Sequence, residues 1–304
     1  MKARKYLYGF VALLTVGLFA LAGCGDSLTM SDPQAAGDEE TLREFLEDDE
    51  IFDDIGFYSA ERTTVESGGG DRGDIDPLTY WRVLTEAEVD RETIIDYEAG
   101  TADVTVNRDA WGELHILDED MVEYVKPFHH EGIRYASFIL DDDWEPPQGG
   151  GQDGSNGQGV QHRPRRGPWV LTELSGYRAQ SDTLSFEIDW VHVQSESVDV
   201  TITDPLELLT VPDDIMKFRV GDEVTVTVSG PPEDAILFLH RRFWRSPFTD
   251  NGDGTFTGCW TVSRPGHHTA WVEATSHETI FDSEHPEETL IWGMPYAVAR
   301  DGVE

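Results

Sequence analysis

The most reactive side chains in this 304-residue chain are its two cysteines, Cys24 and Cys259. The thiolate form of cysteine is a strong nucleophile, suited to covalent modification and to catalysis. Cys24 follows a long apolar run and the small pair Ala22-Gly23, so a modifying enzyme has room to reach it. Cys259 lies in the alternating segment FTGCWTV, which places its thiol on the opposite strand face from Trp260. We therefore expect a modified thiol at Cys24 and, at Cys259, a non-catalytic thiol that is either partly exposed or covered by a neighbouring domain.

The segment before Cys24 has the order of a secretory signal: basic residues up to Lys5, an apolar stretch over residues 10–22 and a small-residue ending. Its last part, Leu21-Ala22-Gly23-Cys24, resembles the lipobox of bacterial lipoproteins. The resemblance implies a diacylglyceryl group on Cys24, cleavage before it and acylation of the new amino terminus. Gly25, in place of Asp, resembles lipoproteins that are sorted to the outer membrane. The alternative is an uncleaved transmembrane helix, which needs about 20 apolar residues; the small residues and the polar exit favour a cleaved signal.

The chain carries 60 acidic and 22 basic residues, for a net charge of −38. Such a surface repels nucleic acid and anionic head groups, so we expect no nucleic-acid partner and membrane contact only through the N-terminal lipid. After the signal the only lysines are Lys126 and Lys217, and arginine supplies the other cations. Adaptation to high salt, where the Debye length falls to about 3 Å at 1 M, is one explanation. Cation binding is the other, and the spread of the acids along the chain favours the first.

Composition and turn signals divide the chain into four parts. Residues 1–23 form the signal, and residues 24–38 form a polar tether without periodicity. Residues 39–183 are expected to form an α+β domain and residues 184–304 a β-sandwich, with residues 205–212 as a second possible boundary. Gly, Gln, Ser and Asn dominate residues 146–160, which predicts a disordered insertion in the first domain. Because one cysteine is left after lipidation, no internal disulfide is expected.

The first domain begins with a helical pattern over residues 41–52, in which apolar residues share one face and acids the other. Alternating, β-favouring segments then predict five strands, at residues 93–97, 102–107, 112–117, 133–140 and 169–174. One helix followed by antiparallel strands resembles the cone-shaped nuclear-transport-factor-2-like fold. That resemblance implies a sheet wrapped around a helix, often with an enclosed pocket.

The second domain contains short alternating segments separated by Gly or Pro turns, at the spacing of a β-sandwich. The predicted strands are residues 223–229, 235–240, 254–262, 267–275, 278–281 and 296–299. The segment DNGDGTFT, which starts at Asp250, resembles the hairpin of filamin-type immunoglobulin-like domains. The expected fold class is therefore mainly β with α+β character: an N-terminal helix plus antiparallel sheet, followed by an immunoglobulin-like β-sandwich.

Two basic segments interrupt the acidic sequence and are candidate contact sites. The stronger one consists of Arg241, Arg242, Phe243, Trp244 and Arg245. Trp and Arg concentrate at contact hot spots, which favours a binding role; packing against the first domain is the alternative. The weaker one follows the insertion and consists of Arg163, Arg165 and Arg166. Neutralisation of nearby acids is the alternative for this second segment.

Other motifs point to no further site. The loop after Asp250 lacks ligating side chains at the later positions of a calcium loop, so a hairpin turn explains it better. Neighbouring histidines such as His129 and His130 point to opposite strand faces, and no metal-binding spacing is present, so we expect no metal. The tripeptide Arg72-Gly73-Asp74 is read by some cell-adhesion receptors, but three residues recur by chance. No nucleophile–base pattern is present, and we expect neither catalytic residues nor a cofactor.

The sequence favours a lipoprotein of the cell envelope, outside the cytoplasm and in the outer rather than the inner membrane. It would act as a binding or structural module with a protein or glycan partner. The alternative is an enzyme that uses acids as general acid and base in a pocket of the first domain. A spacer that merely presents its domains is a third option. Convergent titratable groups in a deep pocket would favour the enzyme, and an exposed aromatic surface the binder.

Overall fold

The computed structural model describes residues 40–43, 46, 62–64, 73–141, 168–241 and 244–299, without the side chain of Trp244. Residues 40–43 and 46 are helical, and His277–Phe281 forms another short helix. The strands are β1 (Thr63–Thr64), β2 (Pro77–Asp96), β3 (Thr101–Asp118), β4 (Glu123–Leu140), β5 (Trp169–Leu174), β6 (Tyr177–Ser181), β7 (Trp190–Gln194), β8 (Asp199–Ile202), β9 (Leu209–Thr210), β10 (Met216–Arg219), β11 (Glu223–Ser229), β12 (Ile236–Arg241), β13 (Trp244–Pro247), β14 (Thr249–Asp250), β15 (Thr255–Thr261), β16 (Gly266–Thr275) and β17 (Thr289–Ala299).

The longest elements are β2, β3 and β4, antiparallel strands of 20, 18 and 18 residues. At the first turn, Asp96 Oδ1 accepts hydrogen bonds from the amides of Glu98 and Ala99, and Gly100 has a φ of 65°. Even-numbered residues of β3 and β4 point inward and odd-numbered residues outward, as a pleated strand requires. The sequence predicts a break at residues 108–111, and this is wrong. There β3 continues unbroken because each residue pairs in register with both neighbouring strands.

The larger sheet follows the order β1-β2-β3-β4-β6-β17-β16-β12-β13, with β5 and β9 added beside β4 and β10 added beside β17. The smaller sheet follows the order β14-β15-β11-β7-β8. The fold class is mainly β: a curled antiparallel sheet and a second sheet. Because β6 pairs with both β4 and β17, strands from both sides of residue 184 share the larger sheet. The division into two domains at that residue stays a prediction.

A helix covers part of the inner face of the long strands. Leu42 and Leu46, from the predicted helical pattern, form a buried cluster with Val104, Phe138 and Trp169. Burying such side chains stabilises the fold by about 1.5–3 kcal/mol each. The arrangement of a helix against a sheet follows from the amphipathic pattern, whereas the closer resemblance to the nuclear-transport-factor-2-like cone stays a prediction.

The two sheets enclose a second core. Val226 and Phe256 of the smaller sheet pack with Val272 and Trp292 of the larger sheet. Along β15 the inward positions are buried and Cys259 is exposed, which confirms the predicted thiol face. The immunoglobulin-like topology of this region stays a prediction.

Two local predictions in the C-terminal region have different outcomes. The loop after Asp250 is a hairpin turn, as predicted: Asp250 Oδ1 accepts a hydrogen bond from the Gly252 amide at 2.7 Å, and β14 pairs with β15. The predicted strand at residues 278–281 is wrong, because His277–Phe281 is helical. Its cap is Ser276, whose hydroxyl accepts a hydrogen bond from the Thr279 amide.

Candidate functional site

A group of buried charges, which we call the ionic network, lies between the long strands and the C-terminal strands. Its members are Arg82, His130, His240, Arg245, Glu273 and Glu287. Glu273 of β16 is fully buried and accepts hydrogen bonds from Arg82, His240 and Arg245. A buried carboxylate needs such partners, since an unpaired buried charge costs several kcal/mol.

The second carboxylate of the network, Glu287, precedes β17. It accepts a hydrogen bond from Arg82 Nη2 at 3.0 Å and lies 3.0 Å from His130 Nε2. Arg82 therefore contacts both acids, and it also donates to the hydroxyl of Thr289 at 2.8 Å. The two arginines balance the formal charges of the two glutamates, so the network neutralises itself inside the protein.

The network fixes the ionisation of its members. Burial by itself raises the pKa of Glu273, but Arg245 and Arg82 hold that pKa well below its usual range. Burial also raises the pKa of Glu287, yet His130 and Arg82 lower it to about 2. Burial lowers the pKa of His240 and raises the pKa of Tyr80 to about 12. At neutral pH the two glutamates therefore stay ionised while His240 and Tyr80 stay uncharged, and such fixed ionisation suits a structural role better than proton transfer.

The stronger predicted contact segment is only partly described. The Arg245 side chain is only 8% exposed: its guanidinium lies 3.9 Å from the Phe238 ring centre and donates to the Tyr80 hydroxyl at 2.9 Å. The contact with Tyr80 is the kind expected if this segment packs against the first predicted domain. Arg241 is half-buried and donates to the Thr261 carbonyl at 3.2 Å. The side chains of Arg242, Phe243 and Trp244 lie outside the described residues, so a partner contact by this segment stays a prediction.

Other predicted positions also lie outside the described residues. They are Cys24 with the signal and tether, the insertion 146–160, and Arg163, Arg165 and Arg166. In the tripeptide at residues 72–74, Asp74 accepts a hydrogen bond from the Ser283 amide at 2.7 Å, and Arg72 is not described. Asp74 is thus engaged within the chain.

The outward side of β2–β4 carries a feature that sequence reasoning missed, which we call the outer surface: two tryptophan–histidine stacks. Trp111 and His129 are direct cross-strand partners with ring centres 4.8 Å apart and planes within 3°. Trp81 and His115 are partners in the same way, at 5.1 Å and 9°. Arg62 lies over the Trp81 ring at 4.5 Å. The strand register, which the sequence does not reveal, creates both stacks.

Carboxylates fix the orientation of both imidazoles. His129 Nδ1 lies 3.0 Å from Asp182 and its Nε2 lies 3.3 Å from Asp109. His115 is held by one hydrogen bond, from its Nδ1 to Glu123 at 2.9 Å; its Nε2 lies 3.4 Å from Glu113 without a hydrogen bond. Burial opposes the charged form of His129, but Asp182 and then Asp109 raise its pKa. The His129 ring is thus hydrogen-bonded at both nitrogens and the His115 ring at one.

His129 of the Trp111–His129 stack is also one of three donors of a candidate metal centre. Asp109, His129 and Glu131 offer ligand atoms that all lie within 4.8 Å of one another. Carboxylate and imidazole donors suit Zn²⁺ and related ions. Sequence spacing gave no sign of this group because Asp109 and Glu131 lie on different strands and become cross-strand partners only in this register.

Comparison with known proteins gives no family: no protein-family description, curated protein or solved structure matches the chain. Among the described residues, no helix is long and apolar enough to cross a membrane. Function must therefore be inferred from the geometry of the chain itself.

Proposed function

We propose that this chain is a lipid-anchored protein of the cell envelope whose β-sheet body acts as a binding module for a protein or a glycan. The observation that carries the proposal is the pair of indole–imidazole stacks on the outer surface, at Trp81–His115 and Trp111–His129. The anchor is the lipid on Cys24, and Gly25 favours the outer membrane over the inner one.

The outer surface has the properties of a preorganised contact site. Aromatic residues dominate contact hot spots because they bury a large area with few rotatable bonds. The stacks and their carboxylates hold the rings in place, so little side-chain entropy is lost on binding. His129 keeps 23% of its side chain exposed and Asp109 keeps 42%, so the edge of the stack can reach a partner. The adjacent carboxylates can accept hydrogen bonds from amides or sugar hydroxyls.

Binding is better supported than the enzyme alternative. An enzyme of the kind considered needs an acid and a base that substrate can reach. Among the described residues, the carboxylates with the most strongly lowered pKa values, Glu273 and Glu287, are buried and bonded within the ionic network. A mere spacer has no need for two oriented stacks on its surface.

The acidic composition supports anchoring by lipid. A net charge of −38 repels anionic head groups, so electrostatic attraction cannot hold the protein on a bilayer. Two or more acyl chains give stable attachment, because each buried CH₂ contributes about 0.8 kcal/mol. The tether after Cys24 could then hold the body away from the membrane surface.

Site-specific photo-crosslinking tests the binding surface even though the partner is unidentified. Pro127 is exposed on β4, opposite Glu113 and close to both stacks, and is replaced by benzoylphenylalanine in the full-length protein in its own envelope. Val200, 41% exposed on β8, takes the same replacement as the matched control. We expect a crosslinked species from position 127 and none from position 200.

A second substitution ties the crosslink to the stack. Trp111→Ala in the position-127 protein is expected to reduce the crosslinked species at least about tenfold, the effect of a hot-spot truncation. The thermal unfolding midpoint of the variant is measured alongside to confirm folding. Equal crosslinking from positions 127 and 200, or a folded Trp111→Ala variant that crosslinks as before, would overturn the proposed surface.

A further inference from the structure

The inner side of β2–β4 holds an arginine, Arg108, that forms no ion pair with any of the residues the structure describes. Arg108 is only 5% exposed. Within the described part of the chain, neither its Nε nor its Nη1 has a hydrogen-bond partner, although both atoms are buried. Nε of the half-buried Arg91 is likewise buried and has no hydrogen-bond partner among the described residues. Buried guanidinium groups are ordinarily paired, so this arrangement calls for an explanation.

Strand register brings further positive charge to the same place. Arg108 lies directly opposite Gly132 on β4 and Val89 on β2. Arg91 and Arg134 both lie opposite Val106, which is two residues from Arg108 on the same face. Diagonal neighbours on one sheet face are about 7–8 Å apart, within reach of long side chains. Three guanidinium groups from three adjacent strands therefore share one patch of the inner face.

A tyrosine hydroxyl borders this patch. Gly132 has no side chain, and a Cβ added there would lie 1.9 Å from the Tyr177 hydroxyl oxygen. Because Gly132 is the partner of Arg108, that hydroxyl lies beside the Arg108 position. Arg134 lies over the Tyr177 ring at 5.8 Å and donates from Nε to the Gly176 carbonyl at 3.2 Å. The patch thus has an anchored arginine and a hydroxyl beside the buried Arg108.

Comparison with Arg82 shows what is missing at Arg108. Arg82 is equally buried, and it contacts the carboxylates of Glu273 and Glu287. The chain has 60 acidic residues, so a carboxylate could easily have served Arg108 as well. A buried cation without a counter-charge costs several kcal/mol, and an anion supplied from outside offsets that cost.

We propose that Arg108, together with Arg91 and Arg134, forms a binding site for a small oxyanion on the inner face of β2–β4. The planar guanidinium fork matches carboxylate, sulfate and phosphate oxygens bidentately, so the site takes this class of group, free or as part of a larger molecule. The site is separate from the outer surface, because it lies on the opposite face of the same strands.

Anion-dependent stability of the full-length protein tests the site. Unfolding midpoints and calorimetric titrations are recorded with inorganic phosphate, sulfate and acetate, each against sodium chloride at equal ionic strength. We expect at least one of the three oxyanions to raise the midpoint above the chloride value. Arg108→Met is expected to weaken binding of that oxyanion by about tenfold or more, the effect of losing charge-assisted hydrogen bonds. The exposed Arg219→Met is the matched control and is expected to behave like the unaltered protein.

The unfolding midpoint without oxyanion is a second test, because the proposal predicts the direction in which Arg108→Met changes it. Because Arg108→Met removes an unpaired buried charge, its midpoint in chloride is expected to equal or exceed that of the unaltered protein. A lower midpoint in chloride, an unchanged oxyanion response, or no response of the unaltered protein to any of the three oxyanions would each contradict the site. If Arg108→Met fails to fold, Arg91→Met at the half-buried edge is measured, with the same loss of the oxyanion response expected.

Discussion

Arg82 of β2 and Glu273 of β16 are 191 residues apart in the chain and form a fully enclosed ion pair. The pair joins the long N-terminal strands to the C-terminal strands, and Glu287 and Arg245 extend it. The predicted boundary at residue 184 lies between the two partners in the chain. We therefore expect these two parts of the protein to depend on each other for stability.

Replacing Glu273 by glutamine should destabilise the protein strongly. The substitution leaves Arg82 and Arg245 buried without that carboxylate, and breaking a buried pair costs about 3–5 kcal/mol. The free energy of unfolding from urea titration measures the effect. The exposed Glu207→Gln serves as the control and should stay within about 0.5 kcal/mol. Equal, small effects of both substitutions would contradict a structural role for the network.

Acid should destabilise the protein in two stages. The pKa of His240 is lowered in the fold, so its contribution is present above the ordinary value of 6.5 and is lost as pH falls below it. The pKa of Glu287 is lowered to about 2, so its contribution is present above the ordinary value of 4.5 and is lost as pH falls towards 2. Unfolding midpoints measured from pH 8 to pH 3 test this. In Glu287→Gln the loss of stability below pH 4.5 should be smaller than in the unaltered protein. An unchanged pH profile would contradict the assignment of this stage to Glu287.

The contribution of His129 to stability should depend on pH in the direction opposite to that of His240. Its raised pKa means that it adds stability below about 6.5, and this contribution disappears as pH rises through the folded pKa. Imidazole resonances followed by NMR measure the pKa directly. Asp182→Asn should lower the pKa of His129, because the nearest carboxylate is removed, whereas the control Asp199→Asn, which contacts His192, should leave it unchanged.

Salt should stabilise this protein if its acidity is an adaptation to salty surroundings. At a net charge of −38, self-repulsion weakens the compact state at low ionic strength, and molar salt screens that repulsion. The thermal unfolding midpoint should therefore rise between low and molar NaCl. Potassium chloride at the same ionic strength should act equally, since screening does not depend on the cation. A flat response would leave cation binding as the better explanation of the acids.

Local pattern predicted some elements and failed for others, for identifiable reasons. Strand β11 has the predicted bounds because strict alternation of valine with polar residues leaves no competing structure. The helix His277–Phe281 was missed because Thr279, Ile280 and Phe281 favour strands, and its helix signals were only the cap Ser276 and Glu278 in the first turn. The continuity of β3 was missed because Asn107-Arg108-Asp109 has the composition of a turn, and pairing on both sides overrides that preference.

The site features were less accessible to sequence reasoning than the strands. Trp111 and His129 become partners only when the register of β3 against β4 is known, and that register is set by a four-residue turn. The ionic network joins residues that are up to about two hundred positions apart, which no local pattern encodes. Alternation along the chain did predict the mainly β fold class and the face on which Cys259 lies.

The proposal of an anchored binding module depends first on the chemistry of Cys24, and mass spectrometry of the amino-terminal peptide tests it most directly. The full-length protein is extracted from the membranes of its source cells and digested. We predict a peptide that begins at Cys24 and carries a diacylglyceryl group on sulfur, with a further acyl chain on the amino group. An intact segment from Met1 with an unmodified Cys24 thiol would contradict the anchor and the location proposed for this protein.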